Sequence, residues 1–232
     1  MADQPLALIV GANRGIGLGV VKDMLRRGWS VIATARRPDS ATALAELAKD
    51  YPGRVEVAEL DLNDAGQLDG FATRLRGRTL DAVLVNAGVA GPEHRSASAA
   101  TAEEIGALMF TNAIAPIRLA RHLIPLLRAD NGVLAFTSSV MGSVAQNTGG
   151  HELYRASKAA LNSLTRGLAS ELGGKRIALL TLHPGWVRTD MGGSSAPVGV
   201  DESAAGLVAV IEREKGKPGH RFLDYKGASI AW

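Results

Sequence analysis

The sequence predicts an α/β domain built on a doubly wound parallel sheet of about seven strands with helices on both faces. Short apolar runs alternate with helix-like segments along the whole chain, and no repeat or linker interrupts them. Such alternation brings each strand back to the same sheet through a crossover helix, which buries both faces of the sheet. The 232 residues are therefore expected to form one domain over residues 1–232.

The individual elements follow from residue spacing. Apolar runs bounded by turn-forming or polar residues predict strands at Pro5–Val10, Ser30–Thr34, Val55–Leu60, Leu80–Val85, Gly132–Thr137 and Ile177–Leu182. Helices are predicted at Ile16–Arg27, Ala41–Asp50, Asp64–Arg76, Thr101–Phe110, Ala113–Arg128 and Leu153–Leu172. The irregular segment at about 188–200, rich in Gly, Ser and Pro, is interpreted as a substrate lid, because long loops in compact domains are commonly functional.

The composition narrows the function classes. The net charge of +3 arises from 26 basic and 23 acidic residues that are scattered, so no nucleic-acid partner is predicted. The chain has no cysteine, which excludes disulfides and thiolate chemistry. No apolar run approaches the roughly 20 residues that cross a bilayer. The short apolar start suits a first strand better than a leader, so no membrane partner and a cytoplasmic location are expected.

The five histidines, His94, His122, His151, His183 and His220, show no metal-ligand spacing, and no metal is predicted. They are interpreted as scattered core or surface residues. His151 is the exception, because it precedes the last predicted helix at a position where it could touch a substrate.

A glycine-rich turn separates the first predicted strand from the first helix. It reads Gly11-Ala12-Asn13-Arg14-Gly15-Ile16-Gly17. Glycines allow a tight turn and a close approach of backbone to a pyrophosphate, and the following helix N-terminus offers free N–H groups to anions. Three glycines in a turn could equally mark a mobile connection. The position directly after an apolar strand favours a nucleotide site.

The end of the second strand bears on which nucleotide binds. Ala35-Arg36-Arg37 stands where sites that prefer NAD commonly place an acidic residue for the ribose 2′-hydroxyl. Arg36 can instead pair with a 2′-phosphate through its fork of donors, and Arg14 is a second candidate. The alternative is a solvated basic pair at a strand end. We interpret the pattern as a preference for NADPH.

Tyr154 and Lys158 open the long sixth helix and lie on one helix face at i and i+4. A cation about 4 Å from a phenol contributes on the order of 4 kcal/mol at an effective dielectric near 20. That is roughly three pKa units, which would bring the tyrosine pKa near neutral pH for proton transfer. Taken alone, an exposed tyrosine–lysine pair explains the same spacing.

Several motifs in order resolve these alternatives. The glycine turn, Asn86-Ala87-Gly88, Asn112, Ser138-Ser139, Tyr154-x-x-x-Lys158 and Pro184-Gly185 together resemble the short-chain dehydrogenase/reductase family over essentially the whole chain. The segment His183–Gly193 and the ending Asp224–Trp232 are similar to its C-factor-like and Sniffer-like carbonyl reductase branch. The resemblance implies a single-domain Rossmann fold, and NADPH-dependent reduction of an aldehyde or ketone to an alcohol by hydride transfer.

The resemblance also implies a role for each matching residue. Tyr154 would donate a proton to the carbonyl oxygen, Lys158 would hold the nicotinamide ribose and lower the tyrosine pKa, and Ser139 would orient the carbonyl. Asn112 would hold a water that links Lys158 to solvent. The implied cofactor-binding residues are Gly11, Asn13, Arg14, Gly15, Ile16, Gly17, Arg36, Asp61, Leu62, Asn86, Ala87, Gly88, Tyr154, Lys158, Pro184, Gly185, Val187 and Thr189. The family also implies a homodimer or homotetramer formed through Ala113–Arg128 and Tyr154–Leu172.

The chain departs from the family pattern at two places. Val10 stands where the family usually has threonine, which removes a hydroxyl at the turn. Ser139 and Tyr154 are two residues further apart than is common, so Met141 stands at the position before Tyr154 where the family usually has its serine. We therefore predict a longer loop, Met141–Leu153, beside the substrate pocket, with Ser138 and Ser143 as lesser candidates for the orienting serine.

A second class of function shares this fold. A cofactor-sensing signalling or regulatory protein would need no proton donor, and a fold alone does not determine function. The presence of Asn112, Ser139, Tyr154 and Lys158 together favours an enzyme.

Overall fold

The computed structural model describes residues 4–232 and contains one seven-stranded sheet. The strands are Leu6–Val10 (β1), Ser30–Ala35 (β2), Val55–Glu59 (β3), Ala82–Val85 (β4), Val133–Thr137 (β5), Ala178–His183 (β6) and Gly219–Asp224 (β7). Their order is β3-β2-β1-β4-β5-β6-β7, and every neighbouring pair is parallel. This arrangement confirms the predicted doubly wound α/β fold.

The α-helices are Gly15–Arg26 (α1), Thr42–Asp50 (α2), Ala65–Arg74 (α3), Ala102–Met109 (α4), Ala115–Leu123 (α5), Glu152–Leu168 (α6) and Val200–Glu214 (α7). Two apolar clusters lie on opposite faces of the sheet. One contains buried residues of α1, α2 and α7, and the other contains those of α3, α5 and α6. Strand residues such as Ile9 and Leu8 alternate between the two clusters, as the two-residue period of a strand requires.

The strand order places a crevice at one edge of the sheet. The chain moves outward from β1 to β3 and then returns to β4 on the other side of β1. The connections that follow β1 and β4 therefore diverge at their carboxyl ends, which is where open α/β sheets bind ligands. The glycine turn follows β1, and Asn86 follows β4.

The helices around residue 112 differ from the prediction. The sequence predicts two separate helices, Thr101–Phe110 and Ala113–Arg128, whereas a π-helical turn, Phe110–Ile114, joins α4 directly to α5. Helix α5 also ends early, at Leu123, and gives way to the 3₁₀ turn Ile124–Leu126. Pro125 explains the early end, because the residue before a proline is disfavoured in α-helical geometry.

Candidate active site

The glycine turn packs against the start of the β4 connection with no space for side chains. At Gly11, which has a φ of +80°, an added Cβ would lie 2.9 Å from Cα of Ala87. At Gly17 it would lie 2.1 Å from the Gly11 carbonyl oxygen. The turn therefore needs glycine for close backbone approach, as a pyrophosphate-binding turn does.

Asn86 connects three strand ends at this edge. Its side-chain amide donates to the Gly11 carbonyl (3.0 Å), and its Oδ1 accepts from the Thr137 hydroxyl (3.0 Å). The backbone N–H groups of Asn86 and Ala87 both donate to the Val10 carbonyl. The Asn86 side chain is thus used to hold the turn after β1 next to β4 and β5, in addition to any contact with an adenosine ribose.

The segment 138–142 after β5, called the serine turn below, contains the candidate orienting hydroxyl. Ser139 Oγ accepts a hydrogen bond from the Met141 amide (3.1 Å), and the described residues offer its O–H no acceptor. Ser138 instead donates to Asn162 Oδ1 (2.6 Å), and Ser143 donates to the Ala231 carbonyl (2.6 Å). Of the three serines, Ser139 alone keeps a hydroxyl proton that could reach a substrate oxygen.

Helix α6 holds the tyrosine–lysine pair beside this turn. The Lys158 Nζ lies 5.7 Å from the centre of the Tyr154 ring and donates to the Thr137 carbonyl (2.9 Å). The serine turn packs directly on the helix, because a Cβ at Gly142 would lie 2.8 Å from the carbonyl carbon of Lys158. Asn162 adds a further tie, since its amide donates to the Gly142 carbonyl (3.1 Å).

The pKa values at this pair do not follow the sequence-based expectation. Burial raises the pKa of Tyr154 to about 12 and lowers the pKa of Lys158 to about 8. Desolvation penalises the charged form of each group, and this effect outweighs attraction between the two side chains. The prediction that a cation beside the phenol brings the tyrosine pKa near neutral pH was wrong for this site. Its phenol is protonated at neutral pH and so can act as an acid.

Asn112 lies within the π-helical turn and is fully buried. Its Oδ1 accepts from the Val89 amide (2.8 Å), and its Nδ2 donates to the Val89 carbonyl (2.8 Å) and to Ser157 Oγ (3.0 Å). A Cβ at Gly88 would lie 3.2 Å from Asn112 Oδ1 and 3.4 Å from Lys158 Nζ. The structure therefore brings Gly88, Asn112 and Lys158 together, and π-helical turns of this kind occur often at functional sites.

The candidate phosphate-binding residues are exposed. Arg36 and Asn13 lie on the surface, whereas Ala35 is buried at the end of β2. Arg14 forms an ion pair with Asp190, and both side chains are largely exposed, at 68% and 78%.

After β3, the Asp61 carboxylate accepts from the Asn63 amide (2.9 Å). Leu62 is buried there.

The predicted lid is a compact closed loop. Its neck is formed by a bridge between Val187 and Val198, and the Arg188 amide donates to the Val198 carbonyl (2.9 Å). The loop reaches the glycine turn, because a Cβ at Gly15 would lie 3.4 Å from Cγ2 of Thr189. Before it, Gly185 has a φ of +87° and the Pro184 carbonyl accepts from Ser203 Oγ (2.6 Å).

Two polar residues of the site escape sequence reasoning. Ser157 donates to the Tyr154 carbonyl (2.8 Å) and accepts from Asn112, while Asn162 joins Ser138 to Gly142. Both are buried, although their residue types are usually exposed. Their spacing gives a signal. Lys158 and Asn162 follow Tyr154 at successive four-residue intervals on α6, and Ser157 follows Tyr154 by three residues, so all four lie near one face of the helix.

Neither a membrane span nor a metal cluster is found in the described part of the chain. Across residues 4–232, no helix is both long and apolar enough to cross a bilayer. In the same range, no group of three or more His, Asp or Glu side chains is arranged to hold a metal ion.

The sheet, the glycine turn and the Tyr154–Lys158 pair define an α/β protein of the dinucleotide-binding type with a tyrosine–lysine pair at the same edge. A family model described as short chain dehydrogenase matches residues 5–197. The chain therefore belongs to the short-chain dehydrogenase family.

Known proteins of the predicted branch are similar to this chain. The C-signal of Myxococcus xanthus is 38% identical over 167 residues, which cover 70% of this chain and 98% of that protein. A carbonyl reductase from Pseudomonas aeruginosa, solved in complex with NADP, is 45% identical and has a TM-score of 0.92, covering 99% of this chain and 100% of that one. The carbonyl reductase Sniffer of D. melanogaster is 33% identical with a TM-score of 0.89 and the same coverage.

Proposed function

We propose that this protein reduces a carbonyl compound to an alcohol with NADPH. The observation that carries the proposal is the arrangement at the carboxyl edge of the sheet. There a protonated phenol, a buried ammonium and an available serine hydroxyl adjoin a glycine turn that leaves room only for backbone. The solved relative with bound NADP supports the choice of cofactor.

The residues at the edge fit a dinucleotide. Gly11, Gly15 and Gly17 would receive the pyrophosphate at the N-terminus of α1, and Arg36 with Arg14 would pair with the 2′-phosphate. Lys158 would hold the nicotinamide ribose. When bound, the cofactor supplies a hydride to the carbonyl carbon.

The side chains would handle the oxygen of the substrate. Ser139 donates a hydrogen bond to the carbonyl oxygen and orients it. Tyr154 would give its phenolic proton to that oxygen as the carbon receives the hydride, so the C=O double bond becomes a C–O single bond with one new C–H and one new O–H bond. The charged Lys158 stabilises the phenolate left behind, and a chain through Asn112 would return a proton from solvent.

The surface around the edge favours an apolar substrate. Four large apolar side chains that are exposed come directly after segments of the site: Val89, Val144, Trp186 and Met191. Exposed apolar side chains that follow site segments can add to a binding surface for an apolar ligand. We expect apolar aldehydes or ketones to be better substrates than charged ones.

The test is a panel of apolar and charged carbonyl compounds, assayed by consumption of NADPH and, separately, of NADH. Tyr154→Phe is the matched control, because it removes one oxygen atom and keeps the ring. Consumption that depends on both the carbonyl and the phenol supports the proposal. A wild-type protein that consumes no NADPH with any compound would contradict it.

A second candidate is suggested by the similarity to the C-signal of Myxococcus xanthus. In that case the protein would act by signalling, with NADP(H) as a sensed ligand. The same assay separates the two functions. Tight binding of NADPH without turnover, unchanged by Tyr154→Phe, would favour signalling.

We also propose a homodimer or homotetramer built through α4, α5 and α6. Exposed apolar side chains lie on or between these elements at Ile105, Ile114 and Leu164. Light scattering of the purified protein, compared with Leu164→Glu, tests this proposal.

A further inference from the structure

The segment 228–232 folds back along the last strand of the sheet. The Asp224 amide donates to the Ala228 carbonyl (2.9 Å), and the Ile230 amide donates to the Phe222 carbonyl (2.9 Å). An antiparallel bridge pairs Leu223 with Ser229. This antiparallel pairing places Ala231 and Trp232 beside the loop 143–150, which follows the serine turn.

Hydrogen bonds attach this segment to that loop. The Ser143 hydroxyl donates to the Ala231 carbonyl (2.6 Å), and the Ala145 amide donates to the Trp232 carbonyl (3.0 Å). Within the loop, Ser143 Oγ also accepts from the Gln146 amide (3.1 Å). The Ser143 side chain is buried, so both of its bonds are shielded from water and costly to lose.

The Trp232 ring holds the segment in place. Its centre lies 4.6 Å from that of His220 and 5.3 Å from that of Phe222. The Arg166 guanidinium, on α6, lies 5.6 Å from the centre of the same ring. The ring therefore links β7 to the helix that contains Tyr154 and Lys158.

In sequence, the attached loop lies between two residues of the proposed mechanism. It runs from Ser143 to Gly150, between Ser139 and Tyr154, and its residues 144–150 are exposed. At its far end, the Arg155 Nε donates to the carbonyls of Gly149 (3.1 Å) and Gly150 (2.9 Å). One attachment thus comes from α6, and the other comes from segment 228–232.

We propose that Ser143 and Trp232 are positioning residues that set the place of loop 143–150 and so determine affinity for the carbonyl substrate. The inference rests on the proposed reductase function. The side-chain hydrogen bonds and ring contacts of both residues go to the loop, β7, α6 and segment 228–232, and none of these contacts involves the glycine turn. Their loss should therefore affect the substrate and leave the cofactor alone.

The kinetic test uses Ser143→Ala and Trp232→Ala. We expect KM for the carbonyl substrate to rise about tenfold in each. Ser143→Ala loses hydrogen bonds of that scale, and Trp232→Ala loses ring contacts of similar size. In both variants we expect kcat and the Kd for NADP⁺ to change by less than about twofold. Trp232→Phe keeps an aromatic ring against His220 and should restore most of the affinity. Unchanged KM in both alanine variants would overturn the proposal.

Trp29→Phe is the matched control for stability. Trp29 directly precedes β2, at the amino end of the sheet, where its Nε1 donates to Glu212 (3.0 Å). This variant should lower the Tm without raising KM. An equal rise of KM in Trp29→Phe would show that general destabilisation, not loop position, explains the result.

Hydrogen exchange gives a readout that needs no turnover. The amides of Ala145 and Gln146 should exchange faster in Trp232→Ala and Ser143→Ala than in wild type, while amides of the glycine turn should not change. Failure of the reductase assay with faster exchange at residues 145 and 146 would contradict the proposed function only. Unchanged exchange would overturn the attachment itself.

Discussion

The two sides of the candidate site are built differently. On the phosphate side, Arg14 and Arg36 are exposed cations on the surface. On the catalytic side, Asn112, Ser139 and Lys158 are buried and hydrogen-bonded to neighbouring groups. Exposed charges contribute little to stability, whereas buried ones are costly unless they are paired. Changes on the phosphate side should therefore alter cofactor preference without loss of stability, whereas changes to buried groups on the catalytic side can alter both turnover and stability.

The largest expected effect is on turnover in Tyr154→Phe. The ring still packs, but the proton donor is gone, and general acid catalysis is worth about 10²- to 10⁴-fold. We expect kcat to fall by that amount while the Kd for NADPH is unchanged. A variant that keeps more than about a tenth of the wild-type kcat would show that another group is the acid.

The next effect is on stability in Lys158→Met. Burial lowers the pKa of Lys158 to about 8 from its ordinary 10.5, so the charge destabilises the folded state at neutral pH. A shift of this size corresponds to about 3 kcal/mol. We expect Lys158→Met to abolish activity and to raise the free energy of unfolding by roughly 1–3 kcal/mol at pH 7.

The pH dependence of the same variant provides a check. Below pH 8 the lysine is protonated in both the folded and the unfolded state, and the folded state bears the full desolvation penalty of the buried charge. Between pH 8 and 10.5 the folded state releases its proton first, so the wild type gains stability as the pH rises. Denaturant unfolding at several pH values should show this gain in wild type and not in Lys158→Met. Parallel curves would contradict the argument.

A smaller effect is expected on cofactor choice. Combining Ala35→Asp with Arg36→Ala adds repulsion toward a 2′-phosphate and removes a partner for it. The ratio of kcat/KM for NADPH to that for NADH should fall about ten- to a hundredfold. The Tm should stay within a few degrees of wild type. A wild type that prefers NADH, or a ratio that barely changes, would refute the interpretation of β2.

The smallest effect concerns the exposed pair Arg14–Asp190. Asp190→Asn removes a carboxylate that competes with phosphate for Arg14, so NADP⁺ should bind a few-fold more tightly. Affinity for NAD⁺ should not change. Titration of both nucleotides against the variant and against Arg14→Ala measures this difference.

Much of the site could be predicted because its signals are local. The glycine spacing after β1 and the Tyr154–Lys158 interval follow from turn and helix geometry. The pKa of Tyr154 could not be predicted, because burial depends on what packs around α6. Nor could the contact of Ser143, whose partner Ala231 is distant in sequence. The residue patterns also left the bounds of α7 and β7 undefined.

The π-helical turn at Phe110–Ile114 has a consequence for sequence alignment and engineering. A π turn contains one more residue than an α turn, so the connection between α4 and α5 holds a single extra residue. Deleting one residue there would convert the π turn into an ordinary α turn, which removes the wider turn that holds Asn112. Asn112 would then lose its hydrogen bonds to the Val89 backbone. In this turn, the number of residues therefore constrains the site more strongly than the identity of most of them.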